Sequence, residues 1–84
     1  MANGTTLDVL YFARVAELTG TRQEAWPLDQ SMPAAQWLQA LEQRYPQLAP
    51  ASRLKIAVNQ QHCQHTQVLQ PGDEVAVFDP VTGG

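Results

Sequence analysis

The sequence predicts an α+β fold, in which a small sheet carries one main helix on one of its faces. Three observations support this prediction. Apolar, β-branched and aromatic residues are concentrated near both ends of the chain, at residues 6–13 and 74–78. One long amphipathic segment lies between them, at residues 31–46, and two short strand-like segments around a turn follow it. The 84 residues allow a single domain with one modest core.

The first part of the chain predicts a strand, a short helix and a second strand. The first strand is TLDVLYFA, Thr6–Ala13, whose nearly continuous apolar run suits a central position covered on both faces. The segment RVAELTG can form about two helical turns that end at Gly20. The second strand lies in TRQEAWPL, and Pro27 places it at an edge of the sheet.

The main helix is predicted in SMPAAQWLQALEQRYP. Ser31 is the expected N-cap, Pro33 lies in the first turn, and Pro46 ends the helix after Tyr45. Four residues recur at the helical period and predict the face that packs on the sheet: Ala34, Leu38, Leu41 and Tyr45.

The last part of the chain predicts three strands. A strand through Ile56 and Val58 turns around residues 59–61 and returns. A Pro-Gly-Asp turn then precedes the final strand, Glu74 to Phe78. Because the first and last strands are the most apolar, we expect them to pair at the centre of the sheet.

Composition and charge exclude several classes of partner. The net charge is −3, with five scattered Lys and Arg residues, so neither nucleic acid nor an anionic membrane is an expected partner. The single cysteine, Cys63, fits a reducing compartment. The first residues do not resemble a secretory signal, and no apolar run reaches the roughly 18 residues of a membrane span. We therefore expect a cytoplasmic protein.

Three stretches carry a family resemblance: VLYFARVAELTG, AVNQQ and PGDEVAVFDPVTGG. Together they resemble the small, sulfur-carrying subunits of molybdopterin synthase in the ubiquitin-like ThiS and MoaD family, from Leu10 to Gly84. The resemblance implies a β-grasp fold, with a mixed sheet of about five strands and one main helix on one face. It divides the chain into a flexible N-terminus at residues 1–5, a β-grasp domain at 6–78 and an extended tail at 79–84.

The resemblance also implies the chemistry of the tail. Gly84 would be adenylated with ATP by an E1-like (MoeB-like) adenylyltransferase and then converted to a thiocarboxylate. The tail would enter the active site of the large (MoaE-like) subunit and give its sulfur to cyclic pyranopterin monophosphate, within a heterotetramer. ATP belongs to the E1-like partner, and no permanently bound cofactor or metal is implied. The inserted residues would be Pro80, Val81, Thr82, Gly83 and Gly84.

The residues of the tail support this role independently of the family. Pro80 lacks an N–H group, so the chain cannot easily continue the sheet beyond it. The six residues 79–84 can reach roughly 20 Å when extended. Glycine at the last two positions removes the side chains that would collide with a narrow active site.

Four residues near the tail are candidate partner contacts. Phe78 is either a core residue or a partner-facing aromatic beside the tail. Tyr11 and Phe12 alternate along their strand, so one of them must face away from the helix, and the sequence does not decide which. Many relatives carry an arginine two residues after the position of Arg14. Arg14 is therefore the candidate to replace that arginine as a partner contact.

Other motifs have simpler interpretations. His62, Cys63 and His65 lack a fourth metal ligand, so solvent-facing histidines are favoured over a zinc site. Cys63 has no basic setting that would make it a sulfur carrier, and Trp26 and Trp37 are expected to be packing residues. No catalytic set is apparent, so the chain is not expected to be an enzyme by itself. The alternatives left open are a thiamin-thiazole sulfur carrier, a ubiquitin-like protein modifier, and an interaction module with an inert tail.

Overall fold

The structure is a computed structural model that describes residues 5–80. The elements along this part of the chain are β1 (Thr6–Tyr11), α1 (Ala13–Thr19), β2 (Gln23–Pro27), β3 (Met32–Pro33), α2 (Ala34–Arg44), β4 (Lys55–Val58), β5 (Gln61–Cys63), β6 (Val68–Leu69) and β7 (Glu74–Phe78). Two short 3-10 helices, Pro46–Leu48 and Ala51–Arg53, connect α2 to β4.

The main sheet has five strands in the order β2-β1-β7-β4-β5. The pairing of β1 with β7 is parallel, and the other pairings in this sheet are antiparallel. The first and last strands therefore lie side by side in the sheet interior, and β2 forms an edge, as the sequence predicts. A mixed sheet with its helices segregated on one face confirms the α+β prediction.

Helix α2 covers the sheet with the predicted face and with one further residue. Ala34, Leu38 and Leu41 are buried, and Trp37 is buried with them. The Trp37 ring meets the Trp26 ring edge-on, with 5.5 Å between centroids, which confirms that both tryptophans are packing residues. Each fully buried leucine of this kind contributes about 1.5–3 kcal/mol to folding, so this face is the main stabilising contact of α2.

The start of α2 differs from the prediction. The helix begins at Ala34, and Ser31 is not its N-cap, because residues 32–33 form strand β3 and pair with β6. The amides of Ala34 and Ala35 donate to the carbonyls of Gln67 and His65, at 2.8 and 2.9 Å. Carbonyls distant in sequence thus satisfy amides that a side-chain cap would otherwise bind.

Strand β1 also differs from the prediction, because only one of its faces is covered. Leu7, Val9 and Tyr11 are buried in the core shared with the helices. Asp8 is exposed and Leu10 is half-buried on the opposite face. The apolar run of β1 is therefore explained by a core on one side and an uncovered sheet face on the other.

Candidate functional site

Asp79 and Pro80, at which the predicted tail begins and which we call the tail root, lie at the end of β7, beside the end of β1. Because β1 and β7 are parallel, their carboxyl ends meet at the same end of the sheet. The amide of Phe12 donates to the carbonyl of Val77 at 3.2 Å, which fixes the two ends together. Phe78 ends β7, and Asp79 and Pro80 follow it with half-buried side chains. Val81, Thr82, Gly83 and Gly84 lie outside the described residues.

The chain changes direction sharply after Phe12. Phe12 has extended backbone angles, whereas Ala13 has a φ of +49°, in the left-handed region. A non-glycine residue rarely adopts this conformation, at a cost of about 1–2 kcal/mol, and here it turns the strand directly into α1. Helix α1 ends at Gly20 as predicted, with a φ of +81° and a hydrogen bond from its amide to the Ala16 carbonyl. The turn at Ala13 leaves Phe12 projecting at the end of the sheet.

The structure distinguishes the two neighbouring aromatics of β1. Tyr11 is 2% exposed, and its ring meets the Tyr45 ring edge-on in the core. Phe12 is 48% exposed, on the face of the sheet away from α2. Phe12 is therefore the aromatic that is accessible to a partner.

Phe12 belongs to an apolar area on the uncovered face of the sheet, which we call the open-face patch. Residues opposite one another in the register connect it across three strands: Leu10 lies opposite Ala76, and Ala76 lies opposite Ala57. Phe78 lies on the same face because side chains alternate along β7, whose Val75 and Val77 are in the core. The open-face patch consists of Leu10, Phe12, Ala57, Ala76 and Phe78. Phe78 is thus half-buried on the open face rather than a member of the core.

Arg14 lies on the other side of the tail root. It is exposed on α1 and lines a cavity of about 170 Å³ together with Arg53 and Asp79. The structure therefore brings two arginines to the place where the tail leaves the domain. The four described candidates, Phe12, Arg14, Phe78 and Pro80, all lie at this end of the sheet.

The histidines and the cysteine of the HCQH segment are separated in the structure. The His62 ring stacks edge-on against Phe78, with 5.3 Å between centroids, whereas His65 Nε2 donates to the Leu54 carbonyl at 2.7 Å. Cys63 packs half-buried against the core, and burial raises the pKa of its thiol above the ordinary value. Within residues 5–80, no three His, Cys, Asp or Glu side chains lie close enough to share a metal ion. His65 is partly buried and hydrogen-bonded, so the prediction that it faces solvent is wrong.

The comparisons with known proteins agree on the family. A family model described as the ThiS family matches residues 9–84. The chain belongs to the ThiS family. A human relative, called molybdopterin synthase sulfur carrier subunit, is 42% identical over 93% of both chains. A relative with the same name in Escherichia coli is 38% identical, over 93% of this chain and 99% of its own length. The resemblance stated from the sequence is thus confirmed.

Solved structures confirm the ubiquitin-like β-grasp fold for this member of the ThiS family. The HVO 2177 protein of Haloferax volcanii superimposes with a TM-score of 0.80 and 26% sequence identity. The match covers 95% of this chain and 87% of the archaeal protein. The five-stranded sheet with its helices on one face is therefore shared, and the open-face patch is displayed on a β-grasp domain.

One polar cluster of this ThiS-family chain is not indicated by any sequence pattern. Glu24 of β2 accepts hydrogen bonds from the hydroxyls of Tyr11 and Tyr45, and Arg44 lies 3.5 Å from its Oε1. Burial and, next, the hydrogen bond to Glu24 raise the pKa of Tyr11 far above its ordinary value. The alternation of side chains along β2 predicts that Glu24 and Trp26 lie on the same face of the strand. It does not indicate that two tyrosines from other elements are the hydrogen-bond partners of Glu24.

No membrane-spanning helix is found in residues 5–80, where the longest helix has 11 residues.

Proposed function

We propose that this chain is a sulfur carrier for molybdenum cofactor biosynthesis and acts as the small subunit of a molybdopterin synthase. The observation that carries the proposal is the 42% identity to the human sulfur carrier subunit over 93% of both chains. The position of the open-face patch beside the tail root supports it, because a carrier needs a docking surface near its reactive end.

The reactive group in this proposal is the carboxylate of Gly84. In the active site of an E1-like adenylyltransferase, the carboxylate attacks the α-phosphate of ATP, and pyrophosphate leaves. Hydrosulfide then attacks the acyl carbon and displaces AMP, which leaves a thiocarboxylate at Gly84. The chain itself supplies only the acyl group, so it is not an enzyme on its own; the partners supply ATP and the catalytic residues.

Delivery of the sulfur requires a second partner, the large subunit of the synthase. Four residues follow Pro80, and fully extended they span at most about 14 Å. The large subunit must therefore hold the folded domain close to its own active site while Gly83 and Gly84 enter it. There the thiocarboxylate would give its sulfur to cyclic pyranopterin monophosphate, and two such transfers would form the dithiolene of molybdopterin.

The open-face patch is the proposed docking surface for the large subunit. Phe12 and Phe78 lie next to the tail root, Phe12 is exposed, and aromatic residues including Phe are enriched in protein–protein interfaces. Arg14, on the other side of the root, is the proposed polar contact. The expected assembly is a heterotetramer, with one small subunit at each end of a large-subunit dimer.

The test is a reconstitution with purified proteins. The chain is incubated with the E1-like enzyme, ATP and a sulfide source, and its intact mass is measured. We expect replacement of one oxygen by sulfur at the C-terminus, and molybdopterin after addition of the large subunit and cyclic pyranopterin monophosphate. A chain shortened by Gly84 is the control and should remain unmodified.

Other outcomes would identify the alternative functions. Thiocarboxylate formation without molybdopterin synthesis, but with sulfur incorporation by a thiazole synthase, would indicate a thiamin-thiazole carrier. Isopeptide conjugates with lysines of other proteins would indicate a modifier. The proposal would be contradicted if the mass of this chain did not change while the same E1-like enzyme modified the carrier protein that is known to be its substrate.

A further inference from the structure

A polar edge borders the open-face patch at β4 and β5. His62 lies opposite Ala57, and Lys55 lies opposite Phe78, so both side chains are on the open face. In an antiparallel pair, diagonal neighbours such as Lys55 and His62 lie about 7–8 Å apart. The His62 ring also touches Phe78, at 5.3 Å between centroids and 79° between planes. The two basic side chains therefore lie directly beside the proposed docking surface.

The charged groups around His62 are few. On the neighbouring strands of the open face, β4 contributes Lys55 and β7 contributes Glu74, which lies at the opposite end of β7 from Phe78. Asp79 lines the cavity with Arg14 instead. Within residues 5–80, the recorded ion pair is Arg44 with Glu24, so Lys55 has no carboxylate within 4.0 Å in this part of the chain. The charge that a partner meets beside Phe78 is therefore positive.

Docking on this surface would remove water from Lys55 and His62. An ammonium group that loses water without gaining an acceptor is strongly unfavourable, so a partner covering this edge must present an acceptor. We propose that Lys55 and His62 bind a carboxylate of the large subunit, and that this contact makes the affinity increase as the pH falls. The proposal depends on the proposed function, because it assumes that the large subunit docks on the open-face patch.

The direction of the pH dependence follows from proton linkage. An imidazole gains its charge between about pH 8 and pH 5. A carboxylate beside His62 binds the charged ring better than the neutral ring, so the complex takes up a proton and becomes tighter at lower pH. A purely apolar partner surface would have the opposite effect, since the charged ring would lose water without compensation. The sign of the pH dependence therefore distinguishes the two partner surfaces.

The experiment measures binding of the full chain to the large subunit from the same organism by calorimetry. At about pH 6 we expect an affinity about fivefold higher than at about pH 8, with net proton uptake on binding. His62→Gln, which cannot become charged, should abolish this difference. Lys55→Met should weaken binding at both pH values and reduce its dependence on salt. His65→Gln is the matched control, because His65 hydrogen-bonds to Leu54 away from the open face, and it should keep the full pH response.

The outcomes separate this inference from the proposed function. An affinity that is constant or falls toward low pH, or a His62→Gln variant with the normal pH response, would overturn the carboxylate contact. Phe12→Asp tests the docking surface itself and should abolish binding. If that variant binds normally, the large subunit does not dock on the open-face patch, and both the docking proposal and the carboxylate contact fail.

Discussion

The hydroxyl of Tyr45 donates a hydrogen bond of 2.9 Å to Oε2 of Glu24, and this bond ties the end of α2 to the edge strand β2. The same carboxylate accepts the hydroxyl of Tyr11 from β1. Its side chain is only 17% exposed. One acidic residue therefore joins the end of α2 to the antiparallel pair of β1 and β2.

We expect Glu24→Ala to destabilise the fold, because it leaves the buried Tyr11 hydroxyl without its acceptor. The expected loss in the free energy of unfolding is about 1–3 kcal/mol, measured by urea denaturation. Glu17→Ala is the matched control, since Glu17 is exposed on α1, and it should change stability by less than about 0.5 kcal/mol. Equal effects of the two substitutions would show that the hydrogen bonds of Glu24 contribute nothing to the free energy of unfolding.

Tyr11 should make the fold sensitive to alkaline pH. Its pKa is raised in the folded state, chiefly by burial, so the unfolded chain loses the phenol proton first, near about pH 10. The contribution to stability is complete below that pH and decreases as the pH rises above it. Urea denaturation at about pH 8 and about pH 11 should therefore show a larger decrease for the natural chain than for Tyr11→Phe. Parallel decreases for both chains would contradict the assignment.

Phe12 should be important for binding and unimportant for stability. Phe12→Ala should weaken binding to the large subunit by about 1–2 kcal/mol, because the exposed ring is a proposed anchor of the interface. Val68→Ala is a matched control, since Val68 is similarly exposed, at 45% against 48%, but lies on β6 outside the main sheet. Calorimetry of binding and thermal unfolding of both variants test this. A weaker complex with Val68→Ala, or an unaffected one with Phe12→Ala, would place the interface elsewhere.

Gly83 should be required for chemistry and not for folding. Gly83→Val should prevent formation of the thiocarboxylate, because a β-branched side chain cannot enter a narrow active site in place of glycine. The melting temperature should be unchanged, since the last strand of the sheet ends at Phe78, before Gly83. Intact mass after incubation with the E1-like enzyme is the measurement, and Asn3→Val at the other end of the chain is the control. Normal modification of the Gly83 variant would refute the requirement.

Cys63 should be a slow nucleophile. Burial raises the pKa of its thiol, so at neutral pH the reactive thiolate is scarcer than in an unfolded chain. Alkylation by iodoacetamide should therefore be slower for the folded chain than for the chain in urea. Cys63→Ala should also leave thiocarboxylate formation intact. Loss of that modification in Cys63→Ala would assign the cysteine a role in sulfur transfer.

The parts of the fold that the sequence predicts are those set by local pattern. The inner face of α2 follows from the spacing of Ala34, Leu38 and Leu41, and the apolar character of β1 and β7 predicts that they pair. The predicted N-cap, Ser31, lies two residues before the observed one, Pro33. The reason is that Met32 and Pro33 pair with Leu69 and Val68, which lie 37 and 35 residues further along the chain. A pairing over that distance leaves no signal near Ser31.

The site was predicted less completely for the same reason. Alternation in β1 requires either Tyr11 or Phe12 to face outward, but the choice depends on which side of the sheet the helices cover. The role of Glu24 has no local signal in the sequence, because its partners Tyr11 and Tyr45 lie 13 and 21 residues away in the chain. His62 is exposed, as the sequence predicts, but its contact with Phe78 has no local signal because it arises only when β4, β5 and β7 are assembled.

The central position of β7 has a consequence for biosynthesis. Residues 74–78 are synthesised after the other strands of the sheet, and β1 and β4 pair with them and not with each other. A partly translated chain consequently lacks the strand that joins the two halves of the sheet, and such long-range pairing delays folding until it is available. A binding partner that recognises the assembled sheet would therefore not bind chains that still lack β7.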